Sequence, residues 1–218
     1  MSRKMKFKRV LLCALLISLP LLSMTNVKNS DEKTDGNEVE MCYNDLDTSF
    51  NTTIINDSIF FNKMVQNTKD SIKNEIIDEV EKYVYSIAPK TKKNIPSSIV
   101  ENGLFHGIDI MFMVAQTQIE TTFGTMGAGR EISRRSLFGV AIRKYDSYEK
   151  AIDDYCRLLK KSYLIKGRTE QHLMRKYTTT GGGRYAGNPN YEVELRKTYL
   201  TINRNTKIKE LQEKYNSL

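Results

Sequence analysis

The clearest pattern in the chain lies over 69–87, "KDSIKNEIIDEVEKYVYSI". Ile72, Ile76, Val80, Val84 and Ile87 recur at helical spacing with charges between them, which predicts an amphipathic helix that Pro89 ends. "SSIVENGLF" predicts a short helix with Ser97 or Ser98 as N-cap and Gly107 as its stop. Asp109 then caps "IMFMVAQTQIETTF", whose residues 110–115 are apolar on every side, the mark of a helix buried all round. Gly124, Gly127 and Gly129 predict a loop, and "LFGVAI" reads as either a strand or a turn. "SYEKAIDDYCRLLKKSYL" is amphipathic, with Tyr148, Ile152, Tyr155 and Leu159 on one face and Ser147 as cap. "EQHLMRKY" is a short helix, "TTTGGGRYAGNP" a loop, and "NYEVELRKTYLTI" a last helix. Almost nothing alternates with period two, so the predicted class is mainly α.

Upstream the pattern fades. Residues 26–68 are rich in Asn, Asp, Ser and Thr with only short apolar runs, which predicts a polar, disordered linker. Before it, "MSRKMKFKR" is basic and "VLLCALLISLPLL" is apolar, with small residues near Thr25. That order predicts a signal peptide over residues 1–25, or an N-terminal anchor with membrane association, and hence an exported protein. Cys13 has no small residue before it, against a lipoprotein site. The expected organisation is therefore 1–25 export segment, 26–68 linker, 69–89 amphipathic helix and 90–218 catalytic domain.

Charge divides the same way. Residues 31–60 hold eight acids against one base, whereas residues 89–218 hold 23 bases and 13 acids within a net charge of +8. A basic C-terminal part suits an anionic partner such as nucleic acid, a membrane surface or a wall polymer, or is a solvated surface. The only histidines are His106 and His172, and no Cys-x-x-Cys occurs, so neither metal nor cofactor is expected. Beyond the export segment, Cys42 and Cys156 either pair in an oxidising compartment or stay as two thiols.

The candidate chemistry sits at the end of "FMVAQTQIETTFG". Gln116 and Glu120 are four apart and share a helix face. An acid in a last turn meets the negative end of the helix dipole, and burial acts in the same direction. Both favour the neutral carboxyl, the form a general acid needs.

This stretch and three others form an ordered set. Ala115, Gln116, Glu120 and Gly124 fit the pattern A-Q-x-x-x-E-S-x-x-G, with Thr121 in place of Ser. Leu137, Phe138 and Gly139 fit N-L-F-G-I, with Ser136 in place of Asn. "IRKYDSYEKAIDDYCRLL" and "RYAGNPNYEVEL" come after them, the second with Gly187 and Asn188 where Thr and Asp are usual. Over about residues 96–203 the chain thus resembles the bacterial glucosaminidases, the peptidoglycan-cleaving autolysins and flagellar wall hydrolases. The resemblance implies a lysozyme-like helical domain, with Glu120 as the acid that cleaves between N-acetylglucosamine and N-acetylmuramic acid. It implies that Tyr185 lines the sugar subsite. It points the basic surface toward wall glycan strands rather than nucleic acid, for a chain expected to act as a monomer.

One departure matters. Members of that family carry a small β-lobe with a second carboxylate after F-G-I, whereas here Val140 runs almost directly into "AIRKY", so the lobe is expected to be reduced or absent. A two-carboxylate glycosidase needs a base or nucleophile across the cleft. Glu131 is the leading candidate, ahead of Asp146 and Glu149, and the substrate's own N-acetyl group is the alternative. Lytic transglycosylases, which share the lysozyme-like fold and work with one Glu, are the runner-up activity, and a non-catalytic wall-binding domain is the other. With no Trp in the chain, sugar stacking falls to Phe123, Phe138, Tyr185 and Tyr191. Arg135, with Arg130 and Arg134, either meets wall anions or is solvated.

Overall fold

The computed structural model describes residues 38–131, 134–139, 143–175, 185–188 and 190–218. The expected export segment and the start of the linker lie outside the described residues. The chain divides into two compact units, residues 1–51 and 52–218. The hydrophobic core belongs to the second.

Helix α1 (Glu38–Ile87) is much longer than the pattern over 69–87 predicts. The expected linker is therefore helical from Glu38 on. No Gly or Pro occurs between Gly36 and Pro89, so nothing breaks the helix, although its first half has no sustained apolar face. Ile59, Phe60, Phe61 and Met64 are exposed, which is why their spacing carries no helical signal. Further along, Ile72, Ile76, Val80 and Val84 are buried as predicted, whereas Ile87 at the last turn is exposed. The chain leaves the helix just before Pro89, as the steric demand of proline on its predecessor requires.

Helix α2 (Asn94–His106) begins earlier than expected. Pro96 lies inside its first turn, where a missing N–H costs nothing, and Ser98 is a buried helical residue rather than a cap. A left-handed Gly107 ends it. Asp109 caps α3 (Ile110–Thr121) as predicted, accepting a hydrogen bond from the Phe112 N–H at 3.2 Å. Four elements converge on this end of α3. Tyr199 of α7 (Tyr191–Asn205) donates its hydroxyl to Asp109 at 2.6 Å. Glu170, at the start of α6 (Glu170–Leu173), accepts from the Asp109 N–H at 3.1 Å. Gln212 of α8 (Ile208–Asn216) accepts from the Ile110 N–H and donates to the Ile108 carbonyl. Helix α8 is an element the sequence pattern does not predict, because it carries only Ile208 and Leu211 into the core.

Between α3 and the rest of the chain lie the short α4 (Gly127–Arg130) and a turn at Leu137–Gly139, the turn rather than the strand reading of "LFG". Ser147 caps α5 (Tyr148–Leu158) through the Lys150 N–H, and a single π-helical turn (Leu159–Tyr163) comes next. Helix α2 packs on α5, while α7 and α8 pack on α3. His106 of α2 pairs with Asp153 of α5 at 2.8 Å, and Arg157 holds the other oxygen of Asp153 at 2.9 Å. Burial tends to raise Asp153, but these two partners outweigh it and leave its carboxyl below the ordinary value. Cys156 is a free, buried thiol, and burial pushes it up to about 12. Among the described residues there is no strand, and the LFG turn leads to the Ser147 cap with no lobe between them.

Candidate active site

The site is built where α3 stops. Glu120 is half-buried in the last turn. Thr122, Phe123 and Gly124 then all take positive φ, at 48°, 56° and 76°. Two of them are not glycine, and a β-branched residue in that region is strained by about 1–3 kcal/mol. The strain is held by bonds and by packing. The Thr122 N–H donates to the Gln118 carbonyl at 3.0 Å and the Phe123 N–H to the Thr117 carbonyl at 3.2 Å, while the Phe123 ring is wholly buried. This tight left-handed reversal ends α3 directly behind the carboxylate.

The LFG turn closes over the same carboxylate. Gly139 has φ +69°, and a Cβ built on it would lie 2.8 Å from Cδ of Glu120 and closer still to Oε2. The carboxylate therefore occupies the space that any side chain at 139 would need.

Across from it stand phenols and an amide. Gln116 is nearly inaccessible, and its Oε1 accepts from the Tyr155 hydroxyl while its Nε2 donates to the Tyr185 hydroxyl at 2.7 Å. The two tyrosine hydroxyls are 3.2 Å apart. The Phe138 ring stacks on Tyr155 at 3.8 Å, and Tyr163 meets Tyr185 edge-on at 5.1 Å. Tyr191, at the start of α7, leans on Tyr185, and its buried hydroxyl has no hydrogen-bond partner among the described residues. Burial first, then the charge of Glu120, raise the Tyr191 phenol well above its ordinary value. Burial likewise pushes Tyr185 up to about 12 and raises Tyr155 strongly. All three remain neutral hydroxyls near neutral pH, able to donate hydrogen bonds. These groups enclose a cleft of about 320 Å³, at the lower end of the range for small-molecule sites.

A helix-terminal Glu under an LFG turn, facing a Gln–Tyr–Tyr network, is the arrangement that the four sequence stretches lead one to look for. A family model for glucosaminidase, described as mannosyl-glycoprotein endo-beta-N-acetylglucosaminidase, matches residues 96–204, half of the chain. The chain belongs to the glucosaminidase family. It is a glycosidase domain of the peptidoglycan-hydrolase type. No curated protein matches the chain.

Of the residues expected at the glucosaminidase site, the fold brings Glu120, Gln116, Phe138, Tyr185 and Tyr191 together around the cleft. Three others are placed elsewhere. Phe123 is turned into the core by the left-handed reversal, so it has no surface to offer a sugar. Glu131 is exposed and pairs with Arg134 at 3.1 Å, outside the cleft lining, because the glycine-bearing loop packs down rather than folding over the site. The packing is visible at Gly129, whose carbonyl accepts the Tyr148 hydroxyl at 3.0 Å. Arg135 is half-buried and donates to the Tyr145 carbonyl at 2.7 Å, also away from the cleft.

The fold also adds Tyr155, Leu158, Tyr163, Gly139 and Ala186 to the cleft lining. Tyr155 is legible as a core-face residue of α5, but nothing in the pattern says that its hydroxyl emerges at a site. All 13 acids of residues 89–218 are among the described residues, and of these only Glu120 lines the cleft. Asp146 pairs with Lys150, and Glu149 accepts from Asn94. Glu192, buried in the first turn of α7, is not a lining residue.

Proposed function

We propose that this glucosaminidase is an exported peptidoglycan hydrolase that cuts glycan strands on the reducing side of N-acetylglucosamine. Glu120 acts first as general acid and then as general base. The observation that carries the reading is the solitary Glu120 carboxylate in a cleft otherwise walled by tyrosines, Phe138 and Gln116. Export is supported by the basic-apolar-small order of the first 25 residues.

With one protein carboxylate in the cleft, the second group comes from the substrate. Glu120 gives its proton to the glycosidic oxygen as the bond from C1 to that oxygen breaks. The acetamido carbonyl oxygen of the same sugar closes onto C1 from the opposite face, giving a cyclic oxazolinium. Glu120, now a carboxylate, takes a proton from water as the water oxygen attacks C1 and reopens the ring. Substrate-assisted families of this kind are known exceptions to the two-carboxylate rule. Tyr185 and Tyr191 offer neutral hydroxyls to the sugar, and Phe138 a ring face beside it.

The test is the chemistry of the new chain ends. Purified peptidoglycan digested with the full chain, reduced with borohydride and separated by mass spectrometry should show newly reduced N-acetylglucosamine ends. Reduced muramic acid ends would make the domain a muramidase. Anhydro-muramic ends would make it a lytic transglycosylase. Sedimentation with the wall and no released fragment would make it a binding domain. Each of those three results contradicts the proposal.

A further inference from the structure

Glu120 is followed by a residue that the proposed chemistry does not use, yet its side chain touches every segment that frames the carboxylate. Thr121 is buried at 2 % exposure. Its hydroxyl oxygen lies 3.0 Å from the Leu137 carbonyl and 3.3 Å from the Thr117 carbonyl, and accepts the Gly124 N–H at 3.1 Å. A hydroxyl has one proton to give, and the shorter approach assigns it to Leu137. The carbon side of Thr121 is filled as tightly. A Cβ on Gly129 would fall 2.7 Å from the Thr121 Cβ and 2.9 Å from its methyl, so the α4 backbone rests directly on it.

One small side chain thus joins the end of α3, the left-handed reversal at Gly124, the α4 backbone and the LFG turn. Leu137 is two residues before Gly139, and Gly139 is the surface on which the Glu120 carboxylate rests. We propose that Thr121 is a positioning residue of the glucosaminidase reaction: its hydroxyl, bonded to the Leu137 carbonyl, holds the LFG turn against Glu120 so that the carboxyl is aimed into the cleft. The inference rests on the reading of Glu120 as the acid.

Misplacing a catalytic group by about 1 Å from a distance can cost up to about 10²-fold in rate. The comparison that isolates the hydroxyl is Thr121→Ser against Thr121→Ala, since both lose the methyl and only the second loses the bond to Leu137. Thr121→Val keeps the branched shape and removes the bond by another route. Full-length variants should be assayed on solubilised glycan strands, with kcat and KM determined separately and the folded fraction measured by thermal melting. Thr121→Ser should keep at least about half of the wild-type kcat. Thr121→Ala and Thr121→Val should each lose about tenfold or more in kcat with KM within about twofold, corrected for folded fraction. If one of the two does not fold, the other carries the comparison with Thr121→Ser. Should Thr121→Ser fall as far as Thr121→Ala, or both lose activity only in proportion to unfolding, the residue is structural and the inference fails. Glu120→Gln run alongside separates the two readings. An active Glu120→Gln removes the acid assignment itself, whereas an inactive one beside a fully active Thr121→Ala removes only the role of Thr121.

Discussion

Glu120→Gln should lower turnover of wall glycan by about 10²–10⁴-fold while the chain stays folded. The amide has the shape of the carboxyl and fits the same space above Gly139, so packing gives no reason for a loss. It lacks the acidic proton, and no second carboxylate lines the cleft to stand in for it. Loss of turbidity of a wall suspension measures the first part, and a thermal melt within a few degrees of wild type measures the second. A folded Glu120→Gln protein with wild-type turnover would end the assignment.

Gly139→Ala should be nearly as severe, for a different reason. The new methyl group has two effects that can be measured apart. It places a side chain at φ +69°, a left-handed conformation that costs an L-residue about 1–2 kcal/mol. It also puts a carbon within 2.8 Å of Cδ of Glu120, so the carboxylate must leave its place. Gly127→Ala supplies the control. Gly127 has φ +54°, and a Cβ there meets nothing within 4 Å, so that variant carries the backbone cost alone. Both variants should lose comparable stability by thermal or urea unfolding. Only Gly139→Ala should lose about 10²-fold or more in kcat, the scale of a misplaced catalytic group. Equal activity in the two variants would mean that the LFG turn does not hold the carboxylate.

Both predictions depend on parts of the molecule that differ in how legible they are. Helix α3 and its Asp109 cap are readable because an all-apolar run between a cap residue and a glycine has few alternatives. The same holds for α5, whose apolar face recurs every turn behind Ser147. The first half of α1 is not readable, since Ile59, Phe60, Phe61 and Met64 stay exposed and leave no buried face to mark a period. Helix α8 is hidden for a related reason, as Ile208 and Leu211 are too few to establish one. At the site, Glu120 and Tyr185 lie in linear motifs and are found. Phe123 is misjudged because the reversal begins at Thr122, two residues before the glycine that announces it, and rotates the ring into the core. Tyr155 and Tyr163 come to the cleft through the packing of α5 and the π-turn, a relation between distant segments that no local pattern contains. Glu131 looks like a partner for Glu120 only while its loop is free to fold over the cleft. Its pairing with Arg134 outside the cleft removes that option and leaves one carboxylate.

That single carboxylate is the central claim, and the configuration of the first-formed product tests it most directly. Proton NMR can follow the anomeric signal of the new reducing end while short glycan strands are being cleaved, before the anomers equilibrate. Attack by the substrate's acetamido oxygen followed by water inverts C1 twice, so the β-anomer should appear first. A first-formed α-anomer would mean a single displacement by water, which requires a protein base across the cleft and would contradict the account.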